Sequence, residues 1–127
     1  MSTAIGGADA AETRRTVDAF NDAFNRHDVD AVMALMTDDC IFESTRPVPD
    51  GERLVGQAAV RGFWEAFFSR SPAARFDAEE IVAMGDRCVV RWVYRWVREG
   101  APGHVRGIDL FRVRDGRVAE KLSYVKG

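Results

Sequence analysis

The stretch His104-Val-Arg-Gly-Ile-Asp109-Leu-Phe-Arg-Val-Arg-Asp115-Gly116-Arg-Val-Ala-Glu-Lys-Leu-Ser-Tyr124-Val decides the reading of the chain. Asp115-Gly116 stands between two alternating runs. A type I′ hairpin turn needs positive φ at both central residues, which Asp-Gly supplies readily. With a two-residue turn, Arg114 faces Arg117, Val113 faces Val118 and Asp109 faces Leu122. Period-two alternation then predicts Asp109, Phe111, Val113, Val118, Glu120, Leu122 and Tyr124 on one face. Ile108, Leu110, Arg112, Ala119, Lys121 and Ser123 take the other. A carboxylate among Phe, Val and Leu breaks the rule that apolar faces turn inward, so Asp109 is the first candidate for chemistry.

Before the hairpin, Arg87–Arg98 reads as a long strand with Val90, Trp92, Tyr94 and Trp96 on one face and Arg91, Val93, Arg95 and Val97 on the other. The turn at 99–103 fixes whether that aromatic face is also the face of Asp109, since one residue more or less reverses the parity. Arg75–Met84 is a weaker strand, joined to it by Gly85-Asp86. Residues 57–69 carry Val60, Phe63, Trp64, Phe67 and Phe68 at helical spacing, and Ser71-Pro72 stops that helix. The loop with Pro47, Pro49 and Asp50-Gly51 suits no regular element. Residues 40–44 read as a strand and Thr37-Asp38-Asp39 as a helix-ending turn. From Asp9, the spacing of Val17, Phe20, Ala23 and Phe24 predicts a first helix to about Arg26. His27 complements its C-terminal dipole, and Asp28 caps a second, short helix over 29–36.

Residues 1–8 read as a flexible leader and 9–127 as a single domain. The order is helix, helix, strand, helix, then four antiparallel strands. Layer logic predicts an α+β fold in which a curved antiparallel sheet wraps around three helices as a cone, leaving a pocket between them.

Composition narrows the function classes. Eighteen Lys+Arg against 20 Asp+Glu give a net charge of -2. That balance predicts neither nucleic acid nor membrane as partner. No apolar run approaches the roughly 18–20 residues of a membrane span, and the first residues lack the pattern of a signal peptide. Cys40 and Cys88 lie in apolar runs and read as buried free thiols, in keeping with a cytoplasmic protein. His27 and His104 stand far apart with no carboxylates at ligand spacing, so neither a metal nor a cofactor is expected.

Three segments, residues 17–43, residues 62–68 and Gly107-Ile-Asp109-Leu-Phe-Arg-Val-Arg-Asp-Gly116, resemble the nuclear transport factor 2-like superfamily. Within it they resemble the SnoaL-like polyketide cyclases and ketosteroid isomerases. The resemblance implies the cone-shaped α+β barrel and sheet-to-sheet homodimers. It also separates activities. The Tyr of the ketosteroid isomerase oxyanion hole falls on Phe20 and its Asp base on Ser44, while its oxyanion Asp is matched by Asp109. The Arg-bridged Asp pair of limonene-type epoxide hydrolases is broken, since Gly107 replaces the Arg and the last strand has no Asp. The cyclases are similar in keeping an acidic residue in the hairpin strand.

The expectation is therefore a small-molecule enzyme of the cyclase/isomerase type, with Asp109 and Tyr94 in the catalytic role. A small hydrophobic carbonyl compound would lie among Phe20, Phe24, Phe42, Ser44, Phe63, Trp64, Trp92, Trp96, Phe111 and Tyr124. Buried on that face, Asp109 suits donation to a carbonyl or enolate oxygen. The outer sheet face, with Arg91 and Arg95, would be solvated or covered by a second subunit. Two rival readings are a non-catalytic protein that sequesters a hydrophobic ligand and a dimeric association module with a vestigial pocket.

Overall fold

A computed structural model describes residues 9–127; the leader read over residues 1–8 lies outside them. Helix α1 (Ala10–Asn25) starts where the Asp9 carboxylate accepts from the Glu12 amide at 2.7 Å, and helix α2 (Val29–Ala34) where Asp28 accepts from Ala31 at 3.0 Å. Strand β1 (Met36–Glu43), strand β2 (Arg53–Val55) and helix α3 (Gln57–Arg70) follow. Strands β3 (Arg75–Met84), β4 (Arg87–Arg98), β5 (Ala101–Arg114) and β6 (Arg117–Val125) complete one open, curved sheet of order β2-β1-β6-β5-β4-β3.

The α+β architecture agrees with the sequence reading, and the corrections to it are local. The second helix stops at Ala34, and Thr37-Asp38-Asp39 belongs to β1 instead of a turn. There Asp39 pairs with Arg114, and that guanidinium holds its carboxyl at about 2. Three residues of the Pro-Gly loop form β2 at the sheet edge. β1 joins β6 in parallel, so one pairing in the sheet departs from the antiparallel expectation.

The three helices pack on one face of the sheet. Val17, Phe20 and Phe24 of α1, Val32 and Met33 of α2, and Val60, Trp64 and Phe68 of α3 meet Cys88, Val90, Trp92, Phe111 and Val113. Polar ties set the angles. Thr13 donates to the Gly85 carbonyl at 2.7 Å, Asn25 exchanges two bonds with the Phe76 backbone, and the Gln57 amide reaches the carbonyls of Met33, Met36 and Thr37. His27 sits at positive φ, donates from Nε2 to the Ala74 carbonyl at 2.8 Å and stacks on Phe68. It clamps the end of α1 to the loop before β3. Cys40 and Cys88 are free and buried. No helix among the described residues is long and apolar enough to cross a membrane.

The consequential difference lies in β6. The Asp115-Gly116 turn forms as expected, with φ of 54° and 73°, and Val113 faces Val118. The register then shifts, and Arg112 faces Glu120 instead of Ala119. Ala119 is the extra residue of a β-bulge, and beyond it every side chain of β6 changes face. Lys121 and Ser123 turn inward. Glu120, Leu122 and Tyr124 turn outward, against the expectation.

Candidate functional site

On the inner face Asp109 faces Ser123 across the β5–β6 ladder, and Lys121 faces Phe111 one pair nearer the turn. The Ser123 hydroxyl donates to Asp109 Oδ1 at 2.7 Å. Lys121 Nζ donates to Ser123 Oγ at 3.1 Å and stands 3.4 Å from Asp109 Oδ2. Lysine, serine and aspartate thus form one connected polar cluster.

Its walls are aromatic. Lys121 Nζ lies over three rings, at 4.9 Å from the centre of Phe42, 5.3 Å from Trp64 and 5.6 Å from Phe24. Phe42 is there because parallel pairing sets it beside Lys121. Trp64 meets Phe24, Phe42 and Phe63, while Phe24 and Phe111 flank Phe20. Burial pushes the Lys121 amine below its ordinary range, and the Asp109 carboxylate pulls the other way. The Lys121 and Asp109 side chains keep 9% and 8% of their surface, whereas Phe20 and Phe111 keep none. The cluster therefore touches the edge of accessible space instead of lying at the bottom of the core.

Two further donors are unspent. The buried indole N–H groups of Trp64 and Trp92 have no hydrogen-bond partner in the protein. Each is a donor only, so any partner it takes must be an acceptor.

The sequence-predicted residues divide into three groups. Phe20, Phe24, Phe42, Phe63, Trp64 and Phe111 are brought together around or behind the cluster. Trp92, Tyr94 and Trp96 share the face of Asp109, because the two-residue turn at Glu99-Gly100 makes Val90 face Asp109 and Trp92 face Gly107. Tyr94, however, lies four residues along β4 from Val90, roughly 13 Å at the usual strand rise. It stacks on Phe76 at 4.6 Å, so it belongs to an aromatic rim with Phe67 and Trp96 instead of acting beside Asp109.

Ser44 and Tyr124 leave the group. The Ser44 hydroxyl donates to the Arg46 carbonyl at 2.8 Å and accepts from the Glu52 amide at 3.0 Å, so it ties down the loop before β2. Tyr124 is 54% exposed on the outer face, where the bulge has carried it. Lys121 and Ser123, which complete the cluster, were assigned to that outer face by unbroken alternation. The signal available for them was the pair Val118-Ala119: two adjacent apolar residues in a one-sided strand indicate a bulge.

Glycines opposite the tryptophans explain their placement. A Cβ on Gly107 would lie 2.5 Å from the Trp92 ring, and one on Gly103 would lie 2.6 Å from Trp96. Each indole lies against bare backbone. Two surface depressions lie elsewhere. One of about 310 Å³ is lined by Arg91, Ile108, Tyr124 and Val125 on the outer face, and one of about 350 Å³ by His104, Arg106 and Lys126. Among the described residues no cluster of His, Cys, Asp and Glu forms a metal-binding group.

Comparison with known proteins adds a family and a fold. The SnoaL-like domain profile matches residues 17–121. A nuclear transport factor 2-like protein of unknown function from Mesorhizobium loti is 40% identical over 93% of both chains, with a TM-score of 0.79. A candidate polyketide cyclase from Xanthomonas campestris is 25% identical over 92% of each chain, with a TM-score of 0.74. A candidate ketosteroid isomerase from Kribbella flavida, 20% identical over 94% of this chain and 82% of its own, has a TM-score of 0.78 and shares the fold. No curated protein matches the chain.

Proposed function

This chain belongs to the SnoaL-like domain family, and from that premise we propose that it is a small-molecule enzyme of the polyketide cyclase/isomerase type. Its reaction is acid–base chemistry on an apolar carbonyl compound. The observation that carries the proposal is the Asp109–Ser123–Lys121 cluster set against Phe42 and Trp64. Asp109 takes a proton from the carbon next to the carbonyl and returns it elsewhere. Ser123 holds the carboxylate in one orientation, since its hydroxyl is committed to Oδ1. The Lys121 amine and the unspent Trp64 indole supply donors to the oxygen on which charge develops.

The test is exchange of the α-protons of benzylacetone in heavy water, followed by proton NMR. The proposal expects exchange above the buffer rate, reduced by about 10²–10⁴ in Asp109→Asn, the usual share of a general acid–base group. Binding of benzylacetone without exchange, unchanged in Asp109→Asn, would instead make the chain a sequestering protein.

Partner and compartment follow as parts of the same proposal. Ile108, Tyr124 and Val125 are exposed around the outer depression, which supports a homodimer through that face. Sedimentation of the wild type against Tyr124→Glu checks it: a dimer lost in the variant is the expected result. The free thiols suit a reducing cytoplasm.

A further inference from the structure

We infer that Lys121 is a covalent residue, whose Nζ forms a Schiff base with the carbonyl carbon of an aldehyde or ketone lying against Phe42 and Trp64. The inference rests on the reading above that the guest is a carbonyl compound, and adds how the protein holds it.

Three observations carry it. The first is the choice of cation. The chain has 16 arginines and two lysines, Lys121 and Lys126. Exposed cations paired with carboxylates on the sheet and helices are arginines, as in the pairs of Arg14, Arg53, Arg61, Arg91 and Arg106. The buried one is lysine. A guanidinium stays protonated in any protein and has no lone pair to give, whereas an amine loses its charge readily when desolvated.

The second is position. Nζ is held from one side by Ser123 Oγ at 3.1 Å and Asp109 Oδ2 at 3.4 Å. Its other surroundings are the ring faces of Phe24, Phe42 and Trp64, which bond weakly and suit a flat apolar guest. The third is the adjacent indole of Trp64, a buried donor without a partner. It is available to the oxygen of a carbonyl or of the carbinolamine that follows.

The step balances within the cluster. The Nζ lone pair forms the C–N bond while the π pair of the C=O bond moves to oxygen. Asp109 accepts a proton from nitrogen and passes it to that oxygen, giving the carbinolamine hydroxyl and restoring the carboxylate. The second proton of the nitrogen follows the same route, so the hydroxyl leaves as water and C=N stands in place of C=O. Water adding back reverses the sequence and frees the lysine. While the bond stands, the nitrogen withdraws electrons from the neighbouring C–H, which is where Asp109 acts.

The experiment treats the full chain with benzaldehyde and sodium cyanoborohydride at pH 7, then maps the peptides by mass spectrometry. Lys121 is expected to carry one benzyl group and to acquire it at least about tenfold faster than exposed Lys126, since only Lys121 is desolvated beside a carboxylate and aromatic rings. Labelling of Lys126 with Lys121 untouched, or equal rates at both, overturns the inference. Benzylacetone exchange measured alongside separates the two proposals. Exchange without labelling removes the Schiff base and leaves the acid–base reading. Labelling without exchange keeps the covalent step and removes that reading; neither result removes both.

Discussion

On the outer face of the sheet Asp77, Glu79 and Glu80 of β3 meet Arg91 and Arg95 of β4 and Arg106 of β5, in a ladder open to water. On the inner face Asp109 meets Lys121, both nine-tenths buried among aromatic rings. The same kinds of charge are used in opposite surroundings. Outside, water screens each pair, and exposed pairs of this kind contribute little individually. Inside, desolvating two charges costs several kcal/mol that their attraction offsets incompletely, so an apolar pair of similar size would serve stability equally well. The outer ladder dresses the sheet; the inner pair stands where an apolar pair would serve stability as well, which is why the proposed chemistry is placed on it.

Breaking the inner pair should give the largest effect. Asp109→Ala leaves the buried amine without its carboxylate and should cost about 3–5 kcal/mol in urea unfolding. Next comes pressure on the inner face from the backbone. The Cβ of Gly107→Ala would lie 2.5 Å from the Trp92 ring and 2.2 Å from the Tyr124 carbonyl oxygen. It should cost about 1–3 kcal/mol, as overpacking does, and quench or shift Trp fluorescence while leaving the outer ladder intact. Lys121→Met removes the inner charge and keeps the volume. Combined with Asp109→Leu, so that no carboxylate is left buried alone, it should leave stability unchanged or raise it by as much as about 4 kcal/mol while abolishing benzylacetone exchange.

The pH dependence sharpens the comparison further. Burial lowers the Lys121 pKa from 10.5, with Asp109 opposing. Between the lowered value and 10.5 the unfolded chain binds more protons than the folded one, so this group makes stability rise with pH across that window. The thiols act the other way. Burial raises Cys40 and brings Cys88 from 9.0 to about 11, so they make stability fall as pH climbs past 9. Subtracting the Lys121→Met profile from the wild type isolates the lysine. The smallest effect belongs to the outer ladder: Glu79→Gln should leave the unfolding midpoint unchanged at high salt.

Much of this molecule was legible from residue order, because its turns carry their own chemistry. Gly85-Asp86 separates β3 from β4 and Asp115-Gly116 turns β5 into β6, as their residue types indicate. Asp109 was legible as a carboxylate in apolar company. Its partners were not. A one-residue bulge adds nothing to composition, yet it exchanges the roles of Lys121 and Tyr124 and turns Ser123 inward. The start of β1 was hidden for a different reason. Thr37-Asp38-Asp39 has the composition of a turn, and only the distant Arg114 makes Asp39 acceptable in a strand. Tyr94 was paired with Asp109 in the catalytic role with its face left to the turn at 99–103; that turn gives it the face of Asp109, but distance along the strand sets it apart.

The most direct measurement is the benzylacetone exchange rate of Lys121→Met per folded molecule, with the folded fraction fixed by urea unfolding of the same sample. A loss of at least about 10²-fold per folded molecule is the predicted result. Exchange at the wild-type rate, or a loss that only tracks a fall in stability, would reduce the buried lysine to a packing residue and contradict the account.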